Sequence, residues 1–409
     1  MQHRLGRIGD WLDYAVSLGA SGLLLAPIFA SSTHGYDTTD HFEIDRRLGD
    51  QADFDALVKE MRNRGLLLLL DGVFNHVGRE FPLFRRALAG GPQAKEGAWF
   101  RLSWPQPYRD SEPDYATFEG HRELVTLNHA EPAVADYVTQ VMNHWLDRGA
   151  DGWRLDAAYA VPGEFWRKVV PQVRAKHPDV YIFGEVIHGD YTAFVHSSSV
   201  DAATQYELWK AVWSALNSGN FFELAWALKR HNTFLKAFVP QTFVGNHDVT
   251  RLASRLADER HIPHALVILM TCGGTPSIYY GDEQAFRGIK EDRAGGDDAI
   301  RPAFPARPAD LAPFGWPVYV LHQELIGVRR RHPWLHRAQS RVIEIRNTDL
   351  MFEAFTQDSR LWVALNVADS AVTRSLAATA DKLAGNAAIT KKGGSTEIAL
   401  PPHGWGIFV

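Results

Sequence analysis

The sequence lacks the features that define several broad classes of protein. Its single cysteine, Cys272, excludes an internal disulfide and fits a reducing compartment. No apolar run approaches the roughly 18 residues that a membrane-spanning helix needs. The net charge of −5 leaves no basic surface that could displace counterions from nucleic acid. We therefore expect a cytoplasmic protein that binds neither nucleic acid nor a membrane.

Missing motifs narrow the chemistry further. The sequence has no His-x-His pair, no His-Glu-x-x-His helix and no closely spaced set of Cys and His, which argues against a zinc hydrolase. No glycine-rich turn follows the first strand-like run, which argues against a doubly wound nucleotide-binding fold. These absences leave acid, base and nucleophile chemistry by side chains as the class to consider.

What the chain does contain is a regular alternation of strand-like and helix-like segments. Apolar runs typical of parallel strands occupy residues 22–29, 66–74, 151–156, 180–186, 200–206, 241–246 and 277–280. Amphipathic helical stripes separate them, for example over 53–64 and 133–148. This pattern in a chain of 409 residues predicts an α/β fold, a (β/α)8 TIM barrel with a smaller additional unit.

Two segments depart from this alternation. Residues 77–127 are rich in Pro, Gly, Arg and aromatic residues and predict an inserted excursion after the strand at 66–74. From about residue 338 the apolar period changes to two, which predicts an antiparallel β-domain. The predicted division is therefore a barrel over 1–76 and 128–337, an inserted domain over 77–127 and a C-terminal β-sandwich over 338–409.

Polar residues gather at the C-terminal ends of the predicted strands, where TIM barrels place their active sites. They are Asp71, Asn75, His76, Arg154, Asp156, Glu185, Asn246, His247 and Asp248. Taken singly, a carboxylate there has a structural alternative as a helix cap, and a histidine as a hydrogen-bonded core residue. Together they favour acid, base and nucleophilic chemistry on a neutral, hydroxyl-rich substrate, as in glycoside hydrolysis.

Four short segments resemble, in order, the signature regions of the α-amylase superfamily, glycoside hydrolase family 13. They are DGVFNH (71–76), GWRLDAA (152–158), GEVIH (184–188) and FVGNHD (243–248). The segments HGYDTTDHFEID (34–45) and IYYGDE (278–283) are similar to flanking family features. YATFEGHRELVTLN (115–128) resembles the neopullulanase-like and cyclomaltodextrinase-like branch. The resemblance covers nearly the whole chain.

The resemblance implies a retaining glycoside hydrolase that cleaves α-1,4 or α-1,6 glucosidic bonds in oligosaccharides or cyclodextrin-like glucans. It implies Asp156 as the nucleophile, Glu185 as the general acid and base, and Asp248 as the third catalytic carboxylate. It assigns substrate binding to Tyr36, Asp37, His76, Arg154, His247 and Arg251. A double displacement calls for about 5–5.5 Å between the carboxyls of Asp156 and Glu185.

Departures from the family pattern bear on substrate and metal. Many starch-cleaving members have Lys-His after the second signature region, where this chain has Tyr159 and Ala160. The difference argues against endo-cleavage of long starch and against a bound calcium ion. Asn75 still matches a calcium-ligand position, so Ca²⁺ stays open, while no cofactor is required.

The N-terminal residues depart from the family as well. Residues 3–18 resemble the first barrel helix, so the family's first strand is missing and we expect a truncated N-terminus. A missing strand leaves two unpaired edges. We therefore expect seven barrel strands, with a gap or a substitute segment between 22–29 and 277–280.

Two other functions remain as alternatives. A transglycosylase or sugar isomerase would use the same covalent intermediate and pass it to a sugar instead of water. An inactive carbohydrate-binding homologue is the remote alternative, and retention of all three carboxylates argues against it. The sequence leaves a homo-oligomer open.

Overall fold

A computed structural model describes residues 3–106, 112–293 and 295–409. Two helices open the described chain: α1 (Arg4–Gly9) and α2 (Leu12–Leu18). The chain divides into two units. The first contains the residues up to Val16 and Ala20–Ala203, and the second contains Ser17–Gly19 and Thr204–Val409.

The first unit alternates strands with helices and carries a group of short strands in its middle. After the opening helices its elements are β1 (Gly22–Leu25), β2 (Phe29–Ser31), β3 (Thr38–Ile44), α3 (Gln51–Asn63), β4 (Leu67–Gly72), β5 (His76–Gly78), α4 (Pro82–Gly90), β6 (Leu102–Ser103), β7 (Asp114–Tyr115), β8 (Thr117–Phe118), β9 (His121–Thr126), α5 (Pro132–Asp147), β10 (Gly152–Leu155), α6 (Gly163–Lys176), β11 (Tyr181–Gly184), α7 (Tyr191–Ser198) and β12 (Ala202–Ala203).

A five-stranded parallel sheet in the order β1-β4-β10-β11-β12 forms the centre of this unit. Every residue of β10 is buried, as expected for a continuous apolar strand covered on both faces. In the register of the sheet, Arg154 lies opposite Asp71 on β4 and Phe183 on β11. This register brings the polar ends of three neighbouring strands together.

Aromatic side chains pack the helices against this sheet. Trp145 of α5 is fully buried, with its ring 5.0 Å from Phe54 of α3 and 5.3 Å from Phe29. Trp153 of β10 lies 5.7 Å from Phe74 and is also fully buried. Each such side chain contributes about 1.5–3 kcal/mol of hydrophobic stabilisation or more. The helices therefore hold the strands, and with them the strand ends, in fixed positions.

The second unit combines helices with two antiparallel sheets. Its elements are α8 (Tyr206–Ser218), α9 (Phe222–Leu235), β13 (Gln241–Thr242), α10 (Leu252–Arg255), α11 (Ile262–Thr271), β14 (Thr275–Pro276), α12 (Trp316–Arg331), β15 (Gln339–Ile345), β16 (Asp349–Phe355), β17 (Arg360–Asn366), β18 (Val372–Leu376), β19 (Lys382–Gly385), β20 (Ala388–Lys392), β21 (Ser395–Leu400) and β22 (Trp405–Phe408).

The antiparallel sheets follow the orders β15-β16-β17-β22-β19 and β18-β21-β20. Alternate residues of β16, β17 and β22 enter two different apolar cores. Phe352 and Val363 belong to the core that includes α8, α9, α11 and α12, whereas Met351 and Trp362 belong to the core that includes β18 and β21. β16 and β17 are therefore buried on both faces, whereas the apolar period of two expected from the sequence is typical of strands with one buried face.

The last strand predicted for the barrel, 277–280, differs from the strand in the structure. The strand that pairs with β13 in parallel is β14, Thr275–Pro276, and not residues 277–280. Tyr279 and Tyr280 lie beyond the ladder, and their rings pack on the guanidinium of Arg251, 4.5 and 5.1 Å from its centre. The aromatic-rich apolar run at 277–280 resembles a strand in sequence, although its tyrosine side chains pack on a cation.

Arg4–Gly9 and Leu12–Leu18 are helical, in agreement with the resemblance of residues 3–18 to the first barrel helix. Within the described part of the chain, β1 pairs with β4 alone. The parallel strands number five in the first unit and two in the second. Their closure into one barrel stays a prediction. Among the described residues, no helix has both the length and the apolarity required to cross a membrane.

Replacement of Gly152 by alanine tests the tight packing of β10. A Cβ at this position would lie 2.3 Å from the backbone oxygen of Tyr181. We expect Gly152→Ala to lower the free energy of unfolding by about 1–3 kcal/mol, measured by urea denaturation. Gly6→Ala is the control, because a Cβ at Gly6 in α1 meets nothing within 4 Å. Equal stabilities of the two variants would contradict the described register of β10 and β11.

Candidate active site

Arg154 lies at the centre of a buried charge cluster in the first unit. Its Nη1 donates to both carboxylate oxygens of Asp71, at 2.7 and 2.6 Å, and to Oδ1 of Asp156 at 3.2 Å. Its Nη2 lies 2.7 Å from Oε1 of Glu185. The four side chains are at most 10% exposed. One guanidinium therefore joins three carboxylates from three adjacent strands.

Asp71 is the member of this cluster that the sequence analysis left out of the predicted site. Its position at the end of β4, within the first signature region, was the available signal. Burial raises the pKa of Asp71 to about 6, and the nearby Glu185 adds to this while Arg154 opposes it. For Arg154, burial alone would lower the pKa, but Asp71 and Glu185 outweigh burial and hold the pKa well above its usual value.

The turn after β10 fixes Asp156 and Glu185 relative to each other. The backbone N–H of Ala157 donates to Oε2 of Glu185 at 3.1 Å. Ala157 has φ 44° and ψ 37°, a left-handed conformation that costs a non-glycine residue energy. The backbone N–H of Glu185 in turn donates to the oxygen of Leu155. The strained turn thus aims an amide at one carboxylate immediately after it has placed the other.

Tyr36 and His76 border the cluster. The Tyr36 hydroxyl donates to Oδ2 of Asp71 at 3.2 Å, and Nε2 of His76 donates to the Tyr36 carbonyl at 3.0 Å. Burial lowers the pKa of His76 to about 4, so its ring is neutral at pH 7. Phe118 stacks on that ring with centroids 4.8 Å apart. A phenol, an imidazole and a phenyl ring therefore lie beside the carboxylates.

Asp37 has a different environment from the rest of the predicted group. Its carboxylate accepts from Thr33 Oγ1 at 2.7 Å and from the backbone N–H of His34 at 3.3 Å. These bonds close the loop that carries Tyr36. The structure therefore gives Asp37 a role in holding this loop, and a direct role in binding substrate stays a prediction.

A second contact beside the cluster was not foreseen from the sequence. The hydroxyl of Tyr159 donates to Oε1 of Glu119 at 3.1 Å, and its ring lies 5.3 Å from that of His188. Glu119 sits in the β8–β9 turn with φ 50°, again left-handed. By the resemblance, Tyr159 occupies the position where many starch-cleaving family members have lysine. Here it ties the β8–β9 turn to the segment that follows Asp156.

The second unit holds the remaining predicted site residues in two groups. Oδ1 of Asp248 accepts from Nη2 of Arg301 at 3.1 Å, and Oδ2 lies 3.1 Å from Nε2 of His247. Nη2 of Arg301 is also 2.9 Å from Asp297. Sequence reasoning missed Arg301, since no motif contains it. Asp248 and His247 form one half-exposed group with this arginine.

Arg251 forms the other group and is completely buried. Its Nη1 donates to the Tyr280 carbonyl at 2.9 Å and to Oδ1 of Asp282 at 3.0 Å. Burial raises the pKa of Asp282 to about 7, with Arg251 opposing the rise. Surrounded by aromatic rings and without exposure, Arg251 has a structural role in this unit. Its direct contact with substrate stays a prediction, as does the union of both units' groups in one site.

Removal of the Arg154 charge tests the balance of the cluster. We expect Arg154→Met to lower the free energy of unfolding at pH 7 by about 3–5 kcal/mol, because three buried carboxylates lose their counter-charge. A buried carboxyl whose folded pKa lies above its unfolded pKa destabilises the fold as the pH rises through the folded value. The loss of unfolding free energy caused by Arg154→Met should therefore be smaller at pH 4 than at pH 7, as measured by urea denaturation.

Arg64→Met is the matched control for this experiment. Arg64 pairs with the exposed side chain of Asp13 at 2.7 Å, and such surface pairs contribute little to stability. The described cluster would be contradicted if Arg154→Met lost no more unfolding free energy than Arg64→Met. It would also be contradicted if that loss did not change with pH.

Comparison with known proteins identifies relatives in sequence. The family model described as alpha amylase, catalytic domain, matches residues 5–349. Cyclomaltodextrinase of Geobacillus thermopakistaniensis (strain MAS1) is 36% identical over 287 residues, which are 68% of this chain and 49% of that protein. Neopullulanase 2 of Thermoactinomyces vulgaris is 34% identical over 292 residues, 69% of this chain and 49% of that protein. The chain thus spans about half the length of the curated relatives it matches.

Solved structures agree in fold. The native form of the Nostoc punctiforme debranching enzyme has a TM-score of 0.85 at 27% identity, covering 98% of this chain and 88% of that chain. The ligand-free cyclic α-maltosyl-(1→6)-maltose hydrolase from Arthrobacter globiformis has a TM-score of 0.83 at 26% identity, covering 98% and 89%. These neighbours imply a (β/α)8 barrel with a C-terminal β-domain. On the match of the family model and of these relatives, the chain belongs to the alpha-amylase family.

Proposed function

We propose that the protein is a retaining α-glycoside hydrolase that acts on oligosaccharides or cyclodextrin-like glucans. The observation that carries the proposal is the pair of carboxyls of Asp156 and Glu185, bound to opposite nitrogens of one buried guanidinium. Contact with a single guanidinium keeps the two carboxyls close together, which suits a retaining mechanism. Family membership supports the same reaction class.

In the proposed reaction, Glu185 protonates the glycosidic oxygen while Asp156 attacks the anomeric carbon. The bond from that carbon to the leaving oxygen breaks, and a covalent glycosyl–enzyme ester forms on Asp156. Glu185, now a carboxylate, takes a proton from water, which attacks the same carbon and releases Asp156. Arg154 holds the Asp156 carboxylate ionised and directed, because an opposite charge favours the charged form.

The remaining roles extend to both units. We assign Asp248 and His247 to hydroxyls of the same sugar, with His76 and Tyr36 beside it and Arg251 and Asp37 as supports. This assignment requires the two units to form one barrel, over 1–76 and 128–337, with an inserted domain over 77–127 and a β-sandwich over 338–409.

The substrate class follows from the relatives and from the rim of the cluster. The relatives are named cyclomaltodextrinase and neopullulanase, and one structural neighbour is a hydrolase of cyclic maltosyl-maltose. Tyr159, tied to Glu119, stands where starch-cleaving members have lysine. These features support α-1,4 or α-1,6 bonds of short or cyclic glucans over long starch.

Calcium takes no part in the proposal. Family members need no cofactor and often bind Ca²⁺. The side-chain amide of Asn75, however, donates to Nδ1 of His76 at 3.1 Å. Among the described residues, three potential His, Cys or carboxylate ligands come together at two places, and neither includes a neighbour of Asn75. Calcium binding at Asn75, which the sequence leaves open, stays a prediction.

A panel of sugars tests the proposed function. The protein should hydrolyse maltotriose and cyclodextrins, with isomaltose and pullulan reporting on α-1,6 bonds. Proton NMR of the first product should show the α-anomer, because two displacements at one carbon restore its configuration. First release of the β-anomer would overturn the double displacement, and no turnover of any panel sugar would overturn the proposal.

The same panel separates hydrolysis from the alternative. Added glucose or maltose should leave the product of cyclodextrin cleavage mainly hydrolytic. A transglycosylase would transfer the glycosyl group to the acceptor, and a sugar isomerase would interconvert maltose, sucrose or trehalose without net hydrolysis.

Substitution of the two carboxyls tests their separate roles. Glu185→Gln should reduce hydrolysis of maltotriose by about 10²–10⁴-fold, while the first step on a nitrophenyl α-glucoside survives, since that leaving group needs no proton. Asp156→Asn should abolish turnover of both substrates. Glu164→Gln, on the exposed start of α6, is the control and should retain full activity. Near-normal rates in either folded active-site variant would refute the assignment.

A further inference from the structure

Two histidines and a carboxylate meet in the second unit, in a part of it that the proposed reaction does not use. His261 directly precedes α11, Asp258 begins the short turn before it, and His403 lies in the turn between β21 and β22. Nε2 of His261 and Nδ1 of His403 are 3.0 Å apart. One potential ligand atom from each of the three residues lies within 4.8 Å of the others.

The backbone of His403 is held in an unfavourable conformation. Its φ of 52° is left-handed, which costs a non-glycine residue energy and marks positions constrained by their surroundings. The side chain is only 9% exposed, and the backbone N–H donates to the Ala368 oxygen. The turn therefore holds the His403 imidazole against His261 at a cost in backbone conformational energy.

The hydrogen bonding of His403 fixes its tautomer. Nε2 lies 2.8 Å from Oδ1 of Asp369, which as a carboxylate oxygen only accepts, so Nε2 carries the proton. Nδ1 is then a lone pair directed at His261. This carboxylate–histidine arrangement is the one that orients metal-binding histidines in proteins. In the metal-free chain Nε2 of His261 donates to this lone pair, so a metal ion at both nitrogens requires the His261 proton to lie on Nδ1.

We propose that Asp258, His261 and His403 bind a divalent transition metal ion of the Zn²⁺ type, with water as a fourth ligand. Two imidazoles and one carboxylate are donors that suit zinc. Zinc–nitrogen bonds of about 2.0–2.1 Å place the ligands of a tetrahedral ion roughly 3.3 Å apart. The nitrogens of His261 and His403 are already close to that separation.

Arg260 is the competitor for this ion. Its Nη2 lies 2.6 Å from Asp258 and 3.4 Å from Asp369, and its side chain is 56% exposed. A metal ion would share or displace this cation at Asp258. If a metal ion binds here, Arg260 should weaken its binding, because both cations compete for Asp258. Two histidines that form only a hydrogen bond would bind no metal for Arg260 to weaken.

The ion would join the start of α11 to the turn before β22. Because it would bind the folded chain and find no preformed site in the unfolded one, it would raise the stability of this unit. The site is independent of the proposed hydrolase activity. Its tests measure metal binding and melting temperature, so the two proposals fail separately.

The test uses the full chain with His3→Gln in every protein, because His3, Asp50 and Asp53 form a second group of potential ligands. After treatment with a chelator, Zn²⁺ is titrated by calorimetry and Co²⁺ by its visible absorption. We expect one ion per chain, a tetrahedral Co²⁺ spectrum and a rise in melting temperature with Zn²⁺. Absence of binding at micromolar Zn²⁺ would overturn the proposal.

Variants assign the ligands. His403→Asn should lose the ion while keeping the turn, since asparagine tolerates the left-handed conformation. His261→Gln should also lose it. Asp369→Asn should weaken affinity by about 10–100-fold, and Arg260→Met should tighten it. His196→Gln, an exposed histidine elsewhere, is the control and should bind as the parent does.

The change in melting temperature on addition of Zn²⁺ tests the site even in a variant that is less stable than the parent. Zn²⁺ should raise the melting temperature of the parent and of His196→Gln, but not that of His403→Asn. Unchanged Zn²⁺ affinity in His403→Asn, or weaker affinity in Arg260→Met, would contradict the assignment of these ligands.

Discussion

The burial of Arg154 among Asp71, Asp156 and Glu185 is the constraint on which the first unit depends. Transfer of these charges out of water is costly, and only close contact with the guanidinium offsets that cost. The contact requires β4, β10 and β11 in their observed register, since a shift by one residue would turn Arg154 to the other face. The charge cluster and the order of the sheet therefore specify each other.

The cluster contains more negative than positive charge, and this excess has a chemical use. One guanidinium faces three carboxyl groups in a buried site, where burial, with a smaller contribution from Glu185, raises the pKa of Asp71 to about 6. A transition state with positive charge on the sugar ring would relieve the remaining repulsion. A preorganised negative site favours such a state over a neutral substrate. The surplus of carboxyl groups over cations in the cluster is therefore consistent with the proposed glycoside cleavage.

Sequence reasoning found what is local and missed what the fold brings together. The apolar runs located β1, β4, β10 and β11 because continuous burial leaves a continuous signal. The signature regions pointed to Asp156 and Glu185, which follow β10 and β11 directly. Arg301 was missed because it is 53 residues from Asp248 and belongs to no motif. Local patterns identify a strand and its end, but not a partner from a distant loop.

The environments of the carboxylates support a division of roles among them. Asp156 and Glu185 are 10% and 7% exposed and share one arginine, Arg154. Asp248 is 34% exposed and has Arg301 and His247 as partners. An accessible carboxylate of this kind can accept hydrogen bonds from the hydroxyls of a neutral sugar. In the proposed reaction, proton transfer and nucleophilic attack are therefore assigned to the buried pair.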